Sequence, residues 1–304
     1  MEKRENNAYT SDYDTQYNNI ITSGEARIPI CFCIDVSGSM NFITNRSEDF
    51  TYDDGPSYSL DGNANVRNII MKPGKVAHNR IDEVKRVLKN MLTKMREIPI
   101  LRNSAVVSIV TFSRFADCII EFSELNNIQD RYIDYIEPEA DVTNASKGIQ
   151  LSLERLDSIM SIIRNAGNES YKPVFIFMTD GNPTDGESAK NAGYDLRQRS
   201  EDNKLNVVPI AIGADRENEV WLKQLSKDGR VFHMVHEEEF DEVFNKIKSR
   251  IHNSAVVISV DENLVDNTSV ENKDNSSDEI ASSQYGTTTS IEEMSDFLRE
   301  LGEM

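Results

Sequence analysis

Four short, almost unbroken apolar runs constrain this chain most: 28–34 (IPICFCI), 105–112 (AVVSIVTF), 174–178 (VFIFM) and 205–212 (LNVVPIAI). Each is the length of a strand, and each is too continuously apolar for a strand that keeps one face in water. Between them the apolar spacing changes to threes and fours. Ile81, Val84, Val87, Leu88, Met91, Leu92 and Met95 make one helical face, with Asn79 placed near its start. Ile149, Leu153, Leu156, Met160 and Ile163 make a second, beginning near Asn144. A shorter strand is expected at 116–122, at the edge of the sheet. A polar helix is expected over 187–201, a short helix over 219–226, a strand over 231–235, and a closing helix through Phe240, Phe244, Ile247 and Ile251. Strands alternating with helices imply an α/β fold. Its central sheet should be mostly parallel, with helices on both faces and one antiparallel edge strand. In such folds the site lies at the carboxyl ends of the strands, where the strand order reverses.

This pattern occupies residues 27–260 and leaves 1–26 as an N-terminal tail and 261–304 as a C-terminal one. Within the body, 41–78 carries Gly, Asn, Asp, Pro and Tyr without sustained period and reads as a long loop or insertion. The C-terminal tail holds 12 acidic and two basic residues, so it supplies −10 of the net charge of −19. Its Asn-, Ser-, Thr- and Asp-rich stretch from 263 to 290 has the composition of a disordered segment. Ser290 to Glu293 then fits a capping box. Ile291, Met294, Phe297, Leu298 and Leu301 give a short amphipathic helix over 290–302, which is expected to dock in a groove, in cis or in trans. A balance this acidic argues against nucleic acid as a partner. No run of 18 apolar residues occurs, so no membrane span is expected, and the first residues do not read as a signal peptide. With three cysteines (Cys31, Cys33 and Cys118) and no leader, a cytoplasmic location is expected.

Three separated segments carry oxygen-bearing side chains to where strands should end. Asp35, Ser37 and Ser39 follow the first apolar run, Asp180 follows the third, and Thr143 lies just before the second long helix. If the first and third runs are neighbouring strands, two carboxylates and three hydroxyls converge at one edge of the sheet. Hard oxygen donors without His or Cys suit Mg2+, or Mn2+ or Ca2+, rather than Zn2+. Two carboxylates leave little net charge on a divalent ion, which can then recruit one more anion, such as an Asp or Glu from a protein partner.

The run Ile34-Asp35-Val36-Ser37-Gly38-Ser39-Met40, with Thr143 and Thr179-Asp180-Gly181, resembles the von Willebrand factor A domain and its metal-ion-dependent adhesion site. The segment from Phe177 to Asp185 resembles the bacterial TerY-like branch, associated with tellurium-resistance gene clusters. The resemblance covers about residues 27–250. It implies a Rossmann-like sandwich, a divalent ion bound directly by Ser37, Ser39 and Thr143, and Asp35 and Asp180 acting largely through water. The chain departs from the family at Asp141-Val142, where small glycines are frequent, and in the 41–78 insertion beside the metal edge.

Other readings compete. A haloacid-dehalogenase-like phosphatase would use Asp35, Thr111, Asp180 and Asp185, but it needs a general acid at the position of Ser37, and a hydroxyl cannot serve. A serine hydrolase lacks the glycines of a nucleophile elbow around Ser37. A metal-independent adaptor would bind through the insertion and the acidic tail alone. Asp185 reads as a turn or capping residue, His233 and His236 as structural, and Phe42, Phe50, Tyr52 and Tyr58 as partner anchors or as groups folded back on the body. The expectation is an interaction module with no catalytic residues.

Overall fold

The computed structural model describes residues 20, 26–44, 47–52, 58–60, 64–66, 69–139, 142–213, 219–234, 244–245 and 248–249. Both tails fall almost wholly outside this set, as do the helix expected at 290–302, His236 and Asp141.

The first apolar run becomes β1 (Ile28–Asp35), buried along its whole length. Chain order then gives β2 (Phe50–Tyr52), β3 (Tyr58–Leu60), β4 (Ala64–Val66) and β5 (Ile69–Met71), followed by helix α1 (Arg80–Glu97). Next come β6 (Ala105–Phe112), β7 (Ala116–Glu124) and helix α2 (Ala145–Asn165). The last described elements are β8 (Val174–Thr179), helix α3 (Glu187–Glu201), β9 (Asn206–Ile212) and β10 (Phe232–Met234). The main sheet runs β10-β9-β8-β1-β6-β7, parallel throughout except for the antiparallel edge pair β6–β7. β1 sits in the middle. From it the chain builds outward through β6 and β7, then returns to the other side of β1 for β8, β9 and β10. The reversal of strand order therefore falls between β1 and β8.

Alternation along β1 sorts the core into two layers. Ile28, Ile30, Phe32 and Ile34 face the buried side of α1, with Val84, Leu88, Met91 and Leu92. Cys31 and Cys33 face the other way, among Ile149, Leu153 and Leu156 of α2 and Leu196 of α3. Phe244 belongs to the first layer, and the four described residues of the expected closing helix are helical.

Two local features aim the helices at the sheet's rim. Asn79 caps α1: its side chain accepts the Asp82 N–H at 2.9 Å, and the Asn79 N–H in turn donates to the Asp82 carboxylate at 3.4 Å. Gly148, in the first turn of α2, lies directly on the sheet. A Cβ there would come within 2.6 Å of the Phe112 ring and 2.9 Å of Cys33 Sγ. The absent side chain lets α2 start hard against the carboxyl end of β1.

The insertion differs from the expected loop. It contains two small antiparallel pairs, β2 with β5 and β3 with β4. Three-residue strands are too short to show a period of two, which is why they are not legible in the sequence. Its ends are joined as well: the Thr44 N–H donates to His78 O at 2.8 Å, and the Arg80 N–H to Phe42 O at 3.0 Å. The short helix after β9 ends at Leu222 rather than 226.

Candidate metal centre at the carboxyl edge of the sheet

Asp35 is the last residue of β1, and register sets Met178 beside Ile34, so Thr179 comes level with Asp35 across the β1–β8 pair. The Thr179 hydroxyl donates to Asp35 Oδ2 at 2.5 Å, and the Ser37 N–H donates to Asp35 Oδ1 at 2.8 Å. The Asp35 side chain is wholly buried. Burial first, and the Asp180 charge second, push its carboxyl up to about 6, against the pull of the Ser37 and Thr179 bonds. Among the described residues it is met by hydrogen-bond donors rather than by a cation. With both oxygens engaged and no exposed face, Asp35 is poorly placed to attack a phosphate ester.

After Asp35 the chain turns into a single 3-10 turn, Gly38–Asn41, which brings the two serine hydroxyls together. Ser37 Oγ lies 3.2 Å from Ser39 Oγ, and Ser39 Oγ donates to Asp180 Oδ1 at 2.8 Å. Ser37, Ser39 and Asp180 thus form a bonded run of oxygens across the β1–β8 boundary, and Asp35 joins it through the Ser37 backbone N–H. Asp180 is 3% exposed.

Thr143 is tied to the β8 side of the site by a different device, through Thr184 rather than through Ser37, Ser39 or Asp180. Its N–H donates to Thr184 Oγ1 at 3.0 Å, the Thr184 hydroxyl donates to Thr143 O at 3.1 Å, and the Thr184 N–H to Thr143 O at 2.9 Å. Thr184 stands four residues after Asp180, so the loop before α2 is fastened to the loop after β8. Asp185 strengthens the same junction by accepting the Ser146 N–H at 2.9 Å. It is a capping residue as expected, but it caps α2 rather than its own helix. On the far side, the Asn144 N–H donates to Ser113 O at 2.9 Å, and the Glu139 N–H to Val36 O at 2.6 Å.

The structure adds two residues that sequence reasoning passed over. Thr184 is the brace of the Thr143 loop. Arg80 sends its guanidinium to Asp180 Oδ2, with Nη1 at 2.5 Å. A signal for Arg80 did exist, because a cation in the first turn of a helix is disfavoured by the helix dipole and calls for a reason. The cysteines offer nothing to the site: burial pushes Cys31 up to about 12 and Cys118 up to about 11, which leaves protonated, inert thiols.

The donor set is uniformly hard: two carboxylates and three hydroxyls. Among the described residues no three His, Cys, Asp or Glu side chains gather to hold an ion, so hydroxyls would have to do much of the coordinating. Two buried carboxylates against a single guanidinium leave a site short of positive charge, which fits a divalent cation.

Comparison with known proteins agrees with this architecture. The family model of the von Willebrand factor type A domain matches residues 73–250, a span that begins in the last residues of the insertion, includes Thr143 and Asp180 and leaves out Asp35, Ser37 and Ser39. No curated protein sequence matches the chain. Among solved structures, the PilB minor pilin from Streptococcus sanguinis is 18% identical, with a TM-score of 0.50 over 75% of this chain and 62% of the pilin. The chain therefore spans less than two thirds of that protein. The BatB protein from Bacteroides thetaiotaomicron is 15% identical over 73% of this chain and 98% of its own length, with a TM-score of 0.45. These likenesses concern the fold alone. No described helix is long and apolar enough to cross a membrane.

Proposed function

The chain belongs to the von Willebrand factor type A domain family, and from that premise we propose that it is a protein-interaction module working through a divalent ion. Ser37, Ser39 and Thr143 would supply hydroxyls to Mg2+, or to Mn2+ or Ca2+, with Asp35 and Asp180 as the carboxylates. When bound, the ion would offer a position to an Asp or Glu of a partner protein. The run from Ser37 through Ser39 to Asp180, with Asp35 held beside it by the Ser37 N–H, supports this reading, because it gathers hard oxygen donors from the ends of two neighbouring strands. No reaction is assigned to the site.

Two finer points are part of the proposal. Placement in the TerY-like branch, and with it a role beside tellurium-resistance systems, rests on the segment from Phe177 to Asp185. A cytoplasmic location rests on the three free thiols.

The test is a calorimetric titration of the full chain with MgCl2, repeated for Ser39→Ala, which removes one donor and the tether to Asp180. Binding should be saturable in the wild type and lost in the variant. Partner capture in Mg2+ should likewise disappear in EDTA. Capture that survives both EDTA and Ser39→Ala would refute the proposal.

A further inference from the structure

Arg80 occupies the first helical position of α1, where the dipole disfavours a cation, yet its side chain runs inward to the metal edge. Nη1 donates to Asp180 Oδ2 at 2.5 Å and to Ser39 O at 3.4 Å, while Nη2 donates to Gly213 O at 3.3 Å. The guanidinium carbon stands 5.4 Å from the centre of the Phe42 ring. Gly213 has φ +55°, and a Cβ there would lie 3.2 Å from Arg80 Nε. Glycine after β9 thus lets the guanidinium lie against the backbone. The side chain is 20% exposed and its Asp180 partner 1%. Three chain segments and one aromatic ring grip this cation, so it is a built feature of the site and not a stray surface pair.

We propose that Arg80 is an internal cation that competes with the metal for Asp180. The inference rests on the metal reading above and deepens it. Charge gives the direction. Asp35, Asp180 and Arg80 together carry −1, and a divalent ion brings the site to +1. Without Arg80 the same ion would bring it to zero. Arg80 therefore holds Asp180 in place when no ion is bound, and it weakens the ion's hold. It also leaves the loaded site positive, so a single carboxylate from a partner neutralises it. Retaining both Asp180 contacts in the loaded state would set two cations against one carboxylate, and the guanidinium pair is the one that can loosen.

Two measurements on the full chain test this. In calorimetry, Arg80→Gln should bind Mg2+ at least tenfold more tightly than the wild type. It should also melt lower than the wild type in EDTA and show a larger rise in melting temperature on adding Mg2+. In 15N-labelled wild-type protein, the Arg80 Nη–H signals, assigned by their loss in Arg80→Lys, should be protected in EDTA and exchange faster with solvent in saturating Mg2+. The second measurement needs no destabilised variant. Mg2+ binding by the wild type that Asp35→Asn abolishes, together with equal or weaker binding by Arg80→Gln or an Arg80 signal unmoved by Mg2+, overturns the role of Arg80 alone. No Mg2+ binding by the wild type or by Arg80→Gln overturns the metal reading and this inference with it.

Discussion

Replacing Asp35 with Asn should make the metal-free protein more stable while removing its response to metal. Asp35 is a buried carboxyl pushed from 3.8 up to about 6 by desolvation and by Asp180. At pH 7.5 the folded chain must keep it ionised, which costs ~3 kcal/mol relative to the unfolded chain. Asn has the same shape and no charge. Its Oδ1 can accept the Ser37 N–H, and its Nδ2 can donate to the Thr179 hydroxyl, which turns toward Gly181 O at 3.4 Å. That longer bond gives back part of the gain, leaving about 1–3 kcal/mol, or a rise of roughly 3–8 °C in melting temperature. The pH dependence has a definite sign. Between 3.8 and about 6 the folded chain keeps a proton on Asp35 that the unfolded chain releases. In EDTA, acidification through pH 6 should therefore stabilise the wild type, the gain being complete near pH 4. Asp35→Asn lacks this component, and the carboxylates away from Asp35, Asp180 excepted, cancel in the difference between the two proteins. Thermal melts of both in EDTA from pH 4 to 7.5, and again with 5 mM MgCl2, read every part of the argument. A variant that melts below the wild type at pH 7.5 in EDTA, or one whose pH slope matches the wild type's, would refute it.

Two further substitutions test how the site is held. Gly148→Ala places a Cβ 2.6 Å from the Phe112 ring. Overpacking of about 1–3 kcal/mol should outweigh the roughly 1 kcal/mol helix preference of Ala over Gly, lowering the melting temperature by a few degrees and weakening Mg2+ binding as α2 backs away; an unchanged melt would show that the contact relaxes freely. Thr184→Val keeps the volume but removes the hydroxyl that braces Thr143. Calorimetry should show Mg2+ affinity falling roughly three- to tenfold with under about 1 kcal/mol of stability lost, and unaltered affinity would mean the Thr143 loop needs no brace.

What could be read in advance follows from the length scale of each interaction. Strands and long helices announce themselves because burial repeats along the chain: β6 and α3 end where the period ends. Asn79 was legible as a helix start because capping is local, while Asn144 precedes α2 without a capping bond and sends its side-chain amide to Arg114 O. That Asp35, Ser37, Ser39 and Asp180 would meet was legible because sheet topology gathers the ends of neighbouring strands, whereas Thr143 is joined to the β8 side only through Thr184. Arg80, Thr184 and the true partner of Asp185 were not legible. Their bonds reach across 100, 41 and 39 positions, and no periodicity encodes such a distance. The pairing of β2 with β5 escaped for a related reason, since each strand offers only three residues.

The insertion belongs to the site rather than to the periphery. It leaves the body immediately after the serine turn and returns at the cap of α1, and its two ends pair with each other. Ile43 bridges Asn79, Thr44 bonds His78, and Asn79 Nδ2 donates to Asn41 Oδ1 at 3.3 Å. This closure means that a long added segment costs the body little, because the ends are brought together by their own bonds and extra length adds only slowly to the entropy of closure. The family match begins at residue 73, in the last residues of the insertion, and so does not reach the Asp35-Ser37-Ser39 segment that precedes it. The same pairing sets Phe42, just after the serine turn, beside Arg80 at the start of α1, with the ring over the guanidinium that holds Asp180. The insertion is thereby joined, through Phe42 and Arg80, to the Asp180 carboxylate at the end of β8, so a load on its ends would reach Asp180 through two side chains.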